Sequence, residues 1–160
     1  MVLIITMSTI ASFVFTTILL FIYAVLDIRT KKVTNQVLLI GGIVGLSVVL
    51  RFGHIVDYAL LHLTAILVAL ILGYALFRIG AFGGADVKTL FTIALISPGI
   101  EFTSWESPIL EGIVAVGLQL MITLIVGYLI SQRKTNETEV IPLIPILFGA
   151  YLVLQLLALF

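Results

Sequence analysis

Two aspartates stand where apolar segments of the chain meet polar residues. Asp27 ends a long uncharged run, and Asp86 lies between the glycine-rich residues 80–84 and another apolar run. Carboxylates placed at such edges of a membrane protein are costly and usually mark function. Two close carboxylates tend to share one proton, so one can activate a water while the other polarises a carbonyl group. The pair predicts acid–base hydrolysis that needs neither metal nor cofactor.

Other nucleophiles and ligands are scarce. The chain has no cysteine, and His54 and His62 are its two histidines, without metal-ligand spacing. We interpret His62 as an interfacial residue near the outer end of a span. Simpler roles for the aspartates stay open, because Asp27 could be an interfacial charge and Asp86 could cap a helix start.

The composition is that of a membrane protein. Of the 160 residues, 62% are apolar and 10% charged, and the mean hydropathy is +1.33. Soluble domains are closer to half apolar and a quarter charged. The net charge is zero, so no nucleic-acid partner is expected. Residues 1–160 leave no room for a soluble domain, which predicts a single membrane-embedded domain.

Six apolar segments predict an all-α polytopic membrane protein with six transmembrane helices. A span needs about 20 apolar residues. We expect the second helix to begin near Thr34 or Asn35, Pro98-Gly99 to break the fourth, and Pro142 and Pro145 to lie in the first turns of the sixth. The predicted spans are 2–26, 37–50, 58–77, 87–100, 112–130 and 140–160.

The basic residues predict the orientation of the chain. Seven of the eight lysines and arginines fall in the odd-numbered loops, and the exception is Arg51. Cytoplasmic loops carry the excess of basic residues. Both termini are therefore expected outside the cytoplasm, and Asp27 and Asp86 at the cytoplasmic face of the plasma membrane. The seven residues are Arg29, Lys31, Lys32, Arg78, Lys88, Arg133 and Lys134.

Three stretches resemble motifs of the type IV prepilin peptidase family, which includes the archaeal preflagellin peptidases. Asp27-Ile28-Arg29, followed by Val33-Thr34-Asn35, resembles the first aspartate motif. Gly83-Gly84-Ala85-Asp86-Val87-Lys88 resembles the second motif, Gly-x-Gly-Asp with a following lysine, although Ala85 replaces the second glycine. Pro142-x-x-Pro145 resembles the proline-rich segment near the family's C-terminus. The resemblance extends over essentially the whole chain.

The resemblance implies an aspartic endopeptidase with Asp27 and Asp86 as its catalytic dyad. It implies substrates that are prepilin, pseudopilin or prearchaellin precursors, in which a short basic leader precedes an apolar helix. Larger bacterial relatives carry a cysteine-rich zinc insert, and the absence of cysteine here predicts cleavage without a zinc site or other cofactor. The supporting or substrate-binding residues would be Gly83, Gly84, Lys88, Asn35 and Arg29.

Three alternatives are weighed against this interpretation. A presenilin-like protease would place both aspartates deeper within its spans. A small ion- or proton-coupled transporter would use Asp27 and Asp86 as ion or proton ligands. A structural assembly subunit would need neither aspartate.

Overall fold

The architecture is all-α in the computed structural model, which describes residues 2–3, 5–133 and 141–157. Within these ranges the strands are a two-residue antiparallel pair, β1 (Val2–Leu3) with β2 (Thr103–Ser104). The helices in the same ranges are α1 (Met7–Thr30), α2 (Asn35–Arg51), α3 (His54–Asp57), α4 (Ala59–Arg78), α5 (Gly84–Ile96), α6 (Pro108–Arg133) and α7 (Ile144–Leu157).

Six helices form a closed ring in which each packs against two neighbours. Its order is α1, α2, α5, α4, α6 and α7, and α7 returns to α1. The helix α5 also contacts α1 and α7 across the ring. This order brings the C-terminal end of α1 beside the start of α5. The side chains buried where the helices meet include Leu20, Tyr23, Leu90, Ile96, Ile144, Leu147 and Tyr151.

Two buried glycines of α2 allow its neighbours to approach closely. Leu19 and Tyr23 of α1 occupy the space where a side chain of Gly41 would lie. Ile96 of α5 does the same at Gly45, one turn further along. Helices in a membrane associate through such close packing, because lipid tails are as apolar as the side chains themselves.

The outward faces of the helices carry large apolar side chains, as expected for contact with lipid. Met7, Leu39 and Ile71 are each more than 60% exposed. The helices α1, α4 and α6 are long and apolar enough to cross a membrane, whereas α2 and α7 are shorter apolar helices. At about 1.5 Å per residue, the 13 residues of α5 extend only about 20 Å. Six spans and the location of the termini stay predictions.

The predicted limits of the first helix, residues 2 and 26, are wrong at both ends. The helix begins at Met7, because Thr6 and Thr9 exchange two hydrogen bonds that cap its start. Val2 pairs instead with Ser104 in the small strand pair. At the other end the helix passes through Asp27 and ends at Thr30. Polar residues are compatible with a last helical turn, so the loss of hydropathy did not mark the helix end.

Other boundaries follow the local signals more closely. The helix α2 begins at Asn35 with Thr34 as its N-cap residue, as predicted. The helix α5 ends before Pro98-Gly99, also as predicted, but it begins at Gly84 rather than at residue 87. Pro142 precedes α7, contrary to the prediction, and Pro145 lies in its first turn, where the missing N–H costs little. The outer limits predicted for this span, residues 140 and 160, lie outside the described residues.

Candidate active site

Asp27 is a buried residue close to the C-terminal end of α1, with 8% of its surface exposed. Its Oδ2 atom accepts a hydrogen bond of 3.3 Å from the backbone N–H of Ile144. Ile144 is the first residue of α7, and the first N–H groups of a helix lack acceptors within the helix. The proline-flanked start of α7 therefore places a backbone donor against the Asp27 carboxylate.

Asp86 is the third residue of α5, and its Oδ2 atom accepts a 2.8 Å hydrogen bond from the N–H of Gly83. Gly83 is the N-cap residue, so Asp86 does not occupy that position itself. A Cβ atom on Gly83 would lie 3.0 Å from the same carboxylate oxygen, so a larger residue there would require a small shift of the Asp86 side chain. Ala85 lies within the helix, so replacing the motif's second glycine with alanine imposes no left-handed backbone strain.

Asp27 and Asp86 line the same cavity, which has a volume of about 420 Å³. The cavity lies between the C-terminal end of α1, the start of α5 and the segment that leads into α7. These three segments meet because α1, α5 and α7 contact one another in the ring. The other residues that line this aspartate cavity are Lys31, Lys32, Val33, Thr34, Asn35, Gly83, Gly84, Ala85, Ile141 and Leu143.

The two carboxylates lie within electrostatic reach of each other. Asp86 lies at the polar N-terminal edge of α5, and burial raises the pKa of its carboxyl group to about 6. The Gly83 hydrogen bond lowers this pKa, and the negative charge of Asp27 raises it. Two neighbouring carboxyl groups of which one stays protonated can share that proton.

The predicted supporting residues divide into three groups. Gly83, Gly84 and Asn35 line the aspartate cavity. The Lys88 Nζ atom donates a 2.6 Å hydrogen bond to Asn35 Oδ1, which joins α5 to α2 beside the cavity. Arg29 is exposed in the last turn of α1 and does not line the cavity. Three lining residues were not among the predicted site residues, although they lie between Asp27 and Asn35: Lys31, Lys32 and Thr34.

A second buried polar cluster lies at the other end of α2 and was missed by sequence reasoning. The His54 Nδ1 atom lies 2.9 Å from His62 Nε2, and His54 Nε2 lies 2.8 Å from Glu101 Oε2. Ser12 donates a 3.1 Å hydrogen bond to Glu101 Oε1. His62 is 4% exposed, so its side chain packs inside this cluster, and its interfacial depth stays a prediction. The available signal was that both histidines and Glu101 lie at segment ends on the same predicted side.

Comparison with known proteins gives one match. A model of the type IV leader peptidase family matches residues 14–153, which include both aspartates. No curated protein and no solved structure matches the chain significantly. The family match gives no support to the transporter alternative.

Proposed function

Because the chain belongs to the type IV leader peptidase family, we propose that it cleaves the short basic leader from prepilin, pseudopilin or prearchaellin precursors. The observation that carries this proposal is the shared cavity of Asp27 and Asp86. Their positions on different helices mean that the pairing depends on the folded ring. In this proposal residues 1–160 act as one membrane-embedded peptidase domain.

The proposed chemistry is an aspartic hydrolysis of one peptide bond. The ionised carboxylate takes a proton from a water molecule, whose oxygen bonds to the peptide carbonyl carbon. The protonated carboxyl group donates a hydrogen bond to the carbonyl oxygen, as a neutral acid can. The C–N bond then breaks, and the departing amine takes the proton that the first carboxylate received from water, which restores that carboxylate to its ionised form. Burial raises the pKa of Asp86 to about 6, so this group keeps its proton to a higher pH than an ordinary carboxyl group, which supports its role as the protonated partner.

We further propose that the aspartate cavity faces the cytoplasm. Arg29, Arg78 and Arg133 lie in the last turns of α1, α4 and α6. Ala81, which follows α4, shares a cavity with Ser131 at the end of α6, so these helix ends lie together. Arg51, the one basic residue outside the odd-numbered loops, ends α2 instead. This distribution matches the excess of basic residues on the cytoplasmic side.

The test is a cleavage assay in membranes with a precursor whose basic leader precedes an apolar helix. It compares the native chain with Asp27→Asn and Asp86→Asn, which keep the side-chain size and remove the proton chemistry. General acid–base groups contribute about 10²- to 10⁴-fold to rate, so we expect losses of that order from each change. The matched control is Asp57→Asn, since Asp57 is exposed and lies outside the cavity.

Near-native cleavage by either active-site variant would remove that aspartate from the proposed dyad. Absence of cleavage by the native chain, while the protein inserts and folds, would overturn the proposed substrate. Asparagine at position 27 keeps an oxygen that can accept the Ile144 N–H, so loss of cleavage with normal folding separates chemistry from the structural bond.

A further inference from the structure

An apolar groove runs along the outer surface between α2 and α5. Its volume is about 440 Å³. From Asn35 to Leu46 it follows α2 for about 17 Å at 1.5 Å per residue, which is three helical turns. Leu38, Leu39, Gly42, Ile43 and Leu46 of α2, and Phe91, Thr92 and Leu95 of α5, line this α2–α5 groove, with Asn35 and Lys88 at one end.

The groove is polar at one end and apolar along the rest of its length. The hydrogen-bonded pair Lys88 and Asn35 forms the polar end. Thr92 is the other polar residue of the lining, and its hydroxyl group donates to the Lys88 carbonyl at 2.8 Å. A partner segment in the groove would therefore meet polar groups at one end and apolar side chains beyond it.

The polar end of the groove adjoins the aspartate cavity. Asn35 lines both the groove and the cavity. Lys88 lies two residues after Asp86 on α5, a rise of about 3 Å along the helix axis. A chain that leaves the groove at Asn35 therefore enters the cavity that both aspartates line. A lipid acyl chain has no peptide bond to present to the aspartates, so the connection between groove and cavity favours a polypeptide as the occupant.

Gly42 gives the groove room for another helix. In the described part of the chain, the Thr92 hydroxyl oxygen is the one atom within 4 Å of a Cβ atom placed on Gly42, at 3.9 Å. The backbone of α2 is thus open on this side, unlike at neighbouring Gly41. Helices associate in membranes at such small residues, where backbones can approach closely.

We propose that the α2–α5 groove docks the apolar helix of the precursor, with the N-terminal end of that helix at Asn35 and Lys88. The scissile bond, which precedes the apolar helix, is then held at Asp27 and Asp86. This inference rests on the proposed function, because it takes the leader peptidase substrate as the occupant. It makes the groove lining a determinant of substrate binding and leaves the chemistry to the dyad.

The first test fills the groove with Gly42→Leu. The matched control is Gly117→Leu on α6, since a Cβ atom on Gly117 has no neighbour within 4 Å among the described residues. We expect KM for the precursor to rise roughly tenfold or more with Gly42→Leu, the scale of a misfit methylene in an apolar pocket. The control keeps the native KM. Native kinetics for Gly42→Leu would overturn the docking proposal, while cleavage by the native chain would uphold the proposed function.

The second test is disulfide cross-linking, which stays decisive if Gly42→Leu fails to fold. The chain has no cysteine, so single sites can be introduced cleanly. In the Asp86→Asn background, Leu39→Cys in the groove is paired with a precursor that carries one cysteine early in its apolar helix. Leu129→Cys on α6, also more than half exposed, is the control.

We expect the precursor to form an adduct with Leu39→Cys and not with Leu129→Cys. Adducts of equal yield at both positions, or none at position 39, would overturn the proposal and leave lipid as the occupant. A disulfide between two copies of Leu39→Cys in place of the precursor adduct would overturn it in favour of a dimer contact. Each of these outcomes is independent of whether the native chain cleaves the precursor.

Discussion

The contact between α1 and α2 at Gly41 makes a sharp stability prediction. In Gly41→Ala the new Cβ atom would overlap the Tyr23 hydroxyl oxygen and lie 2.6 Å from Leu19 Cδ1. Tyr23 is fully buried, and its hydroxyl group donates to the carbonyl oxygens of Val37 and Leu38, each at 3.3 Å. The new methyl group can be admitted only if the Tyr23 side chain leaves its position or α2 moves away from α1.

The expected destabilisation follows from three contributions. Overpacking a filled interior costs about 1–3 kcal/mol. If the Tyr23 hydroxyl group loses its acceptors, the buried unsatisfied donor adds about 1–3 kcal/mol. Replacing glycine with alanine stabilises a helix by roughly 0.5–1 kcal/mol, which offsets part of this loss. We expect a net loss of about 1–5 kcal/mol in the free energy of unfolding.

The adjacent glycine supplies the matched control. In Gly42→Ala the Cβ atom lies 3.9 Å from Thr92 Oγ1, an ordinary contact, so only the helix-favouring contribution remains. Unfolding of both variants and the native chain would be followed in mild detergent under identical conditions. Gly41→Ala should unfold first and Gly42→Ala no earlier than the native chain. Equal stability of the two alanine variants would refute the packing of α1 on Gly41.

Three further predictions concern the site, the second polar cluster and the orientation. Burial raises the pKa of Asp86 to about 6, so its proton is lost as pH rises above that value, and kcat/KM should fall there by up to tenfold per pH unit. A flat profile from pH 5 to 8 would contradict this. Glu101→Ala leaves the buried His54 Nε2 atom without its carboxylate partner and should cost about 1–3 kcal/mol of stability. Glu106→Ala, at an exposed position, should cost less, and thermal unfolding measures both. An impermeant maleimide should label Val56→Cys in whole cells and Lys32→Cys only after permeabilisation, and the reverse pattern would invert the proposed orientation.

Much of the candidate site was predictable because its signals are local. Asp27, Asp86 and the surrounding motif residues are short sequence patterns, and Gly83 and Asn35 do line the aspartate cavity. The start of α2 after Thr34 and the end of α5 before Pro98 are likewise set by neighbouring residues. Helix limits set by hydropathy alone were less accurate. The helix α1 carries Asp27 inside its last turns, because a helix can extend past the end of an apolar run.

The sequence by itself determined an apolar, all-α chain with two aspartates at segment edges and a match to the type IV leader peptidase family. Only the tertiary structure decided which distant groups meet. The Ile144 N–H reaches Asp27, and Glu101 reaches His54, through the ring order of the helices. The physical reason is that hydropathy, capping and turn preferences depend on neighbouring residues. Ring order depends on close packing, such as Tyr23 against Gly41, and one sequence pattern does not reveal such pairs.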